Sequence, residues 1–405
     1  MHPAPTSVTS RRIPLEFAMP PALSCPCPPD PSPSDPSPSG PFRPVRRLLP
    51  RPARRLVLHA ATRAAACLTA LCAALLALLI SPVPASAAGS GPCDLYASGG
   101  TACIAAHSTV RALYGAYSGP LYQVRRASDN ATRNIGVTVA GGPADAAAQD
   151  SFCAGTTCVV TWVYDQSGHG NHLGYQGPGG VGGSDTPAKA TSESLTVGGR
   201  KAYSLYINAG NSYWRDGHST GVPTGSAPEG MYMVTSGTHV NSGCCFDYGN
   251  SETTRRADGP GAMDAINFSK SCWFGGCSGT GPWVQADLEW GLYPGGSTSW
   301  NPNQRAYTNK FVTAMLKNNG TSRFAIKGGD AQSGGLTTLY AGSLPGGYSP
   351  MKKQGAIILG SGGDCCNGNT NLSIGTFYEG AITAGYPSDA TDNAVQANIT
   401  AAGYR

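Results

Sequence analysis

An all-β fold, an antiparallel sandwich with a few short helices, is predicted by three features of the 405-residue sequence. Short runs rich in β-branched and aromatic residues recur along the chain, Gly/Asn/Asp/Ser turns separate them, and few helical stretches lie between. The composition agrees: 55 Gly, 32 Pro and only 13% charged residues fit a turn-rich extracellular β protein.

The chain opens on a segment that is read apart from the fold. Residues 1–45 are Pro/Ser-rich and carry no packing pattern. An apolar run from Ala64 to Ile80 follows a cluster of arginines (Arg46, Arg47, Arg51, Arg54, Arg55, Arg63) and leads into "SPVPASAAGS", in which Ala85-Ser86-Ala87 has the small-x-small form of a signal peptidase site. The run is short for a membrane span of about 20 residues. Residues 1–87 are therefore expected to be a leader with a secretory signal peptide, leaving a single domain over 88–405 that is secreted, extracellular and free of the membrane after cleavage. The leader holds nine of the 28 basic and three of the 23 acidic residues, so the remainder is balanced at 19 against 20. That balance gives no support for nucleic-acid binding.

Within 88–405 a helix is expected over about 104–116. Strands follow at "CVVTWVY" (158–164), "KAYSLYI" (201–207), "GMYMVTS" (230–236), "KFVTAML" (310–316), "RFAIKG" (323–328), "TTLYAG" (337–342), "GAIILG" (355–360) and "GTFYEGAITAGY" (375–386). A last helix starts after Pro387 with Ser388 as N-cap. No repeat of fixed period and no Pro/Ser linker divides this region. N-x-S/T sequons stand at Asn130, Asn267, Asn319, Asn371 and Asn398.

Ten cysteines lie beyond the leader and form five near-neighbour pairs. An even count in a secreted chain argues for disulfides, and 93/103, 153/158 and 272/277 with two vicinal pairs is the simplest of many connectivities. Zinc is the rival, but no pair is followed by a matching CxxC or a spaced HxxxH. The vicinal pairs pose a problem of their own. Adjacent Cα atoms are about 3.8 Å apart, while an ordinary disulfide spans roughly 4.4–6.8 Å. Cys244 and Cys245 are thus either split between other partners or closed into a small ring that serves as a rigid apolar surface.

Three acids stand in settings that suggest chemistry. "WVQADLEWGLY" (283–293) places Asp287 and Glu289 two apart, facing the same way if the segment is a strand. A solvated sheet edge would explain the pair, but its flanks are almost wholly apolar, and acids there usually have work or partners. Asp364 follows the strand and glycine turn of "GAIILGSGGDCCNGN", which is either a simple Asp/Gly turn or a loop at a strand end where sites are built. Carboxylates across a sugar cleft can hydrolyse glycosides, and Trp273, between Cys272 and Cys277, could supply a platform or belong to the core. "YDQSGHGNH" (164–172) reads as a hydrogen-bonded turn rather than a metal site. Neither a phosphate loop nor a Ser/His/Asp order is present.

The segments "GPCDLY", "CIAAHSTVRALYGAYSGPLYQVRR", "DAAAQDSFC", "YDQSGHGNHL", "EGMYMV", "CCFDYGN", "GPWVQADLEWGLY", "GAIILGSGGD" and "GTFYEGAITAGYPSD", in this order over nearly all of 91–405, resemble the catalytic domain of family 54 glycoside hydrolases, the α-L-arabinofuranosidase B type. The resemblance implies a concanavalin-like, jelly-roll type sandwich and a retaining exo mechanism on terminal α-L-arabinofuranosyl groups of arabinan or arabinoxylan. It implies Glu289 as nucleophile and Asp364 as general acid/base. Asp287, Trp273, Trp290 and Gly363 are implied substrate-binding residues, with Cys244 and Cys245 joined as a floor under the furanose. The partner implied is an arabinose-containing oligo- or polysaccharide, with the protein a monomer and no cofactor or metal, since the mechanism needs only carboxylates and water. The sequence departs from the family pattern at Trp290 and Gly291, where polar, asparagine-like residues are expected, and in the added pairs Cys272/Cys277 and Cys365/Cys366. It stops at Arg405, without the arabinose-binding β-trefoil that often follows, which implies a weaker grip on polymers. Two alternatives stay open: a retaining glycosidase for another furanoside, such as a galactofuranosidase, and a lectin-like sandwich that binds sugar without cutting it.

Overall fold

The computed structural model describes residues 89–175, 185–243, 245–361 and 372–405. In chain order the elements are α1 (Pro92–Ser98), β1 (Cys103–Ser108), β2 (Pro120–Arg126), β3 (Thr132–Gly136), α2 (Ala146–Phe152), β4 (Cys158–Val163), β5 (Leu173–Tyr175), β6 (Ser194–Val197), β7 (Arg200–Tyr203), β8 (Leu205–Ile207), β9 (Ser212–Asp216) and β10 (Glu229–Thr235). They continue with β11 (Phe246–Ser251), β12 (Asp264–Ser269), β13 (Trp283–Asp287), β14 (Leu292–Tyr293), β15 (Val312–Asn318), β16 (Phe324–Asp330), β17 (Thr337–Gly342), β18 (Ala356–Ser361), β19 (Gly375–Ala384) and α3 (Asp389–Ala401).

One sheet runs β1-β19-β10-β15-β16-β17 with β8 also on β19, and a ten-stranded sheet runs β14-β13-β12-β11-β18-β9-β5-β4-β2-β3. The alternation of side chains explains how they stack. Along β10, Met231 and Met233 point into a core shared with Phe246, Tyr248, Ile266, Phe268, Val284, Ala286, Ile357 and Leu359 of the larger sheet. Tyr232 and Val234, between them, point the other way and meet Tyr96 of α1, Val395 and Ile399 of α3, and Leu195 and Val197 of the β6-β7 hairpin. Strands β1, β10, β15, β16 and β19 of the smaller sheet are therefore buried on both faces, while its edge strand β17 is largely uncovered. The antiparallel sandwich expected from the sequence is the observed fold.

The last helix begins where expected: Ser388 accepts a hydrogen bond from the Thr391 amide at 3.1 Å. Its first-turn acids, Asp389 and Asp392, each lie 2.6–2.8 Å from Lys317 of β15 and Lys327 of β16, which fixes the helix to the sheet.

Two expectations fail. Residues 104–116 are not helical. Cys103–Ser108 is an edge strand paired with β19, and irregular turns follow. The segment "CIAAHS" is buried at every position, so it lacks the alternation that marks a half-exposed strand, and its alanines mimic a helix. The expected strand 201–207 is broken at Ser204 into β7 and β8, which belong to different sheets.

Disulfides join Cys93 to Cys103, Cys153 to Cys158 and Cys272 to Cys277, the local pairing inferred above. Among the described residues no helix is long and apolar enough to cross a membrane.

Candidate active site

Strand β13 turns Val284 and Ala286 into the core and Gln285 and Asp287 to the outer face of the large sheet. Cross-strand register extends that face: Gln285 pairs with Asn267 and Asn267 with Asp247, while Asp287 pairs with Ala265. All four polar side chains are nonetheless buried, and buried polar groups need partners. Asn267 Nδ2 donates to Asp247 Oδ1 at 2.8 Å, Ser269 donates to Asn267 Oδ1 at 2.8 Å, and Gln285 Nε2 donates to the Ser271 carbonyl at 2.7 Å. The sequon asparagine Asn267 is thus committed to the network and closed to glycosylation.

Glu289 is not on the strand, which corrects the expected same-face D-x-E pair. β13 ends at Asp287, and Leu288-Glu289-Trp290-Gly291 make the tight turn into β14, with Asp287 opposite Leu292. Both central residues have positive φ, 64° at Glu289 and 59° at Trp290, the type I′ geometry that Asn-Gly normally occupies. Side chains with a Cβ adopt it at a cost, and such strain gathers at functional sites. Several bonds hold the turn. The Glu289 amide donates to Asp287 Oδ1 at 3.1 Å, Tyr348 Oη donates to the Glu289 carbonyl at 2.8 Å, and the Gly261 amide donates to the Leu288 carbonyl at 2.8 Å. The Trp290 amide donates to Glu289 Oε1 at 3.3 Å and so faces the carboxylate with a fixed dipole. Gly291 is required, since a Cβ there would stand 2.8 Å from the rings of Phe274 and Tyr293.

Those rings are part of an aromatic support under the turn: Phe274 and Tyr293 centroids are 5.1 Å apart, and Tyr293 meets Tyr348 edge-on at 5.1 Å. Burial pushes the Tyr348 hydroxyl well above its ordinary pKa, and Tyr293, Asp287 and Glu289 add to the rise, so it stays a neutral donor. Replacing Trp290 by glycine is expected to relieve the left-handed strain and stabilise the protein by about 1 kcal/mol in urea unfolding. An unchanged or lower midpoint would show that the indole's contacts outweigh the strain.

The sulfur of Cys245 and carboxylate oxygens of Asp247 and Asp287 all lie within 4.8 Å of one another. Cys245 is disulfide-bonded, and the other six described cysteines pair among themselves, so its partner lies outside the described residues. A disulfide sulfur offers no thiolate to a cation, which makes the trio a wall of two acids beside an apolar sulfur rather than a zinc set. Trp273 sits on the Cys272–Cys277 loop and is 50% exposed, while Trp290 is 54% exposed and Trp300 is 60% exposed.

Of the residues singled out from the sequence, Asp287, Glu289, Trp290 and Cys245 stand on this turn and face, with Trp273 on the loop before β13. Cys244, Gly363 and Asp364, with Cys365 and Cys366, lie outside the described residues; β18, which precedes the last four, ends at Ser361 opposite Phe246, next to Cys245. Two residues of the site, Asp247 and Tyr348, escape a reading of the sequence. Asp247 carries a signal, an acid two residues after a cysteine in an apolar strand, whereas Tyr348 arrives from a distant loop with none. The "YDQSGHGNH" turn is structural: Asp165 accepts from the amides of Ala106, Ser167 and Asn171 at 2.8–3.0 Å.

Comparison with known proteins shows the family. The family model described as alpha-L-arabinofuranosidase B, catalytic, matches residues 92–405. A probable α-L-arabinofuranosidase B of Aspergillus terreus is 55% identical over 322 residues, 78% of this chain and 62% of the relative. The α-L-arabinofuranosidase B of Emericella nidulans is 53% identical over 323 residues, 78% and 62% of the two chains. This chain thus spans less than two thirds of the length of these relatives. Among solved structures, an arabinofuranosidase complexed with arabinofuranosyl-α-1,2-xylobiose superposes with a TM-score of 0.74 at 49% identity, covering 78% of this chain and 65% of that one. A glutamate-to-glutamine mutant of a family 54 α-L-arabinofuranosidase, soaked with 4-nitrophenyl α-L-arabinofuranoside, gives 0.74 at 48% identity, covering 78% and 66%.

Proposed function

Because the chain belongs to the α-L-arabinofuranosidase B catalytic family over residues 92–405, we propose that it is a secreted, retaining exo-α-L-arabinofuranosidase acting on arabinan or arabinoxylan side chains. The observation that carries this is the strained turn that holds Glu289 against Asp287, whose carboxylate lies within 4.8 Å of the Cys245 sulfur. Glu289 attacks the anomeric carbon while Asp364 protonates the departing oxygen, giving a glycosyl ester. Asp364 then takes a proton from water, which attacks the same carbon, breaks the ester bond to release the Glu289 carboxylate and restores the original configuration; a retaining pair has its carboxyls about 5–5.5 Å apart. Asp287 accepts from a sugar hydroxyl, Trp273 and the Gly363 backbone border the furanose, and the Cys244–Cys245 ring forms its apolar floor. Residues 88–405 are the catalytic unit and 1–87 the leader. Export fits the three described disulfides, which persist in oxidising compartments.

The departure at Trp290 favours one further comparison, with another furanoside. The chain from Ala88 onward is therefore assayed on the 4-nitrophenyl glycosides of α-L-arabinofuranose and β-D-galactofuranose, with NMR of the first sugar released. Faster cleavage of the arabinoside with the α anomer formed first is expected. Preference for the galactoside would reassign the sugar, a β anomer formed first would overturn retention, and sugar binding without cleavage would leave a lectin.

A further inference from the structure

The turn that carries Glu289 has a second arrangement open to it. With φ positive at both central residues it is type I′. Rotating the one peptide between Glu289 and Trp290 converts type I′ to type II′, in which the first central residue keeps positive φ and the second does not. The rotation would release Trp290 from its left-handed backbone. It would also reverse the peptide, whose amide now donates to Glu289 Oε1 at 3.3 Å and whose carbonyl now accepts from Tyr348 Oη at 2.8 Å. The cost of one left-handed residue with a Cβ and the net contribution of one buried hydrogen bond are of similar size. A single donor can therefore decide which turn is populated.

Tyr348 is held in place to be that donor. It is buried, and its ring meets Tyr293, the second residue of β14, edge-on at 5.1 Å. Its loop is anchored on the β15–β16 connection, where the Met351 amide donates to the Gly320 carbonyl at 2.8 Å and the Ser349 hydroxyl donates to the Thr321 carbonyl. The same loop grips the turn a second time: the Lys352 amide donates to the Gly261 carbonyl at 2.8 Å, and the Gly261 amide donates to the Leu288 carbonyl at 2.8 Å. Two successive carbonyls, Leu288 and Glu289, are thus fixed from one side.

We propose that Tyr348 is a positioning residue for the nucleophile: its hydroxyl latches the Glu289–Trp290 peptide in the I′ sense, which keeps the Trp290 amide on Oε1 and fixes the rotation of the carboxylate. The proposal rests on the reading of Glu289 given above.

The test measures kcat and KM on 4-nitrophenyl α-L-arabinofuranoside for wild type, Tyr348→Phe, Trp290→Gly and the double variant, and solves the crystal structure of Tyr348→Phe. Phenylalanine keeps the ring against Tyr293 and removes only the donor. Tyr348→Phe is expected to lower kcat about tenfold while KM changes less than about twofold. Glycine takes the I′ position without strain, so in the Trp290→Gly background the same change should cost less than about threefold. The crystal structure should show a conformer with negative φ at Trp290. An unchanged kcat, a loss confined to KM, equal losses in the two backgrounds or a single left-handed conformer would overturn the latch while leaving the hydrolase intact. Wild type inert on arabinofuranosides would overturn the hydrolase reading, and the backbone of Tyr348→Phe would then decide the latch by itself.

Discussion

Glu289→Gln is expected to lower kcat on 4-nitrophenyl α-L-arabinofuranoside on the order of 10³-fold or more, equivalent to about 4 kcal/mol of barrier. The substitution keeps the shape of the side chain and removes only the charge that, in the proposed mechanism, attacks carbon. The contacts that hold the turn use its backbone: the Tyr348 hydroxyl binds the Glu289 carbonyl and Asp287 binds its amide. A glutamine oxygen can still accept from the Trp290 amide as Glu289 Oε1 does. The unfolding midpoint should therefore stay close to wild type, separating lost chemistry from lost fold. Azide sharpens the assignment. Glu289→Ala with azide should yield the β-azide by one displacement of nitrophenolate, whereas Asp364→Ala should yield the α-azide by two. Retention of more than a tenth of wild-type activity in Glu289→Gln would remove it from the nucleophile's role.

A loss of about 3–5 kcal/mol at pH 7 is expected for Lys353→Met, because it strips the cation from a buried acidic pair. Lys353 and Glu229 are wholly buried, with Lys353 Nζ 3.0 Å from Glu229 Oε1 and 3.8 Å from Asp264 Oδ2. The ammonium also donates to the Ala227 carbonyl at 2.6 Å, and Glu229 Oε2 accepts from Asn250 at 3.0 Å. Burial drives the Glu229 carboxyl well above its ordinary pKa, Lys353 pulls it down, and Asp264 adds to the rise. With the lysine gone, only the upward influences remain among the charges named.

The sign follows from linkage. The folded variant keeps the Glu229 proton to higher pH than the unfolded chain does, so the unfolded state binds fewer protons and stability falls as pH rises. Wild type already holds the Glu229 pKa above its ordinary value and the variant raises it further, so the deficit should grow as pH rises between the two raised values and shrink on acidification. Denaturant unfolding at pH 7 and pH 5 checks this; a deficit under about 1 kcal/mol, or one that deepens at pH 5, would contradict it.

Local chemistry alone makes much of this protein legible. The run "GMYMVTS" is a strand whichever sheet it joins, Ser388 after a proline caps a helix by its own hydroxyl, and cysteines five or ten apart find each other without long-range help. The acids in "ADLEW" are equally plain, because carboxylates between large apolar residues are hard to explain as solvent-facing.

Long-range pairing settles the rest. "CIAAHS" looks helical until β19 and the core bury both of its faces. Asp287 and Glu289 look like neighbours on a strand until β14 folds back and leaves Glu289 at the tip of a left-handed turn that neither Glu nor Trp prefers. Asp247 joins them through the register of β11 and β12, and Tyr348 through a loop nearly sixty residues away along the chain. Residue type and spacing act over one or two turns of chain. Which face a side chain occupies, and at what backbone cost, depends on partners that only the assembled sheets supply.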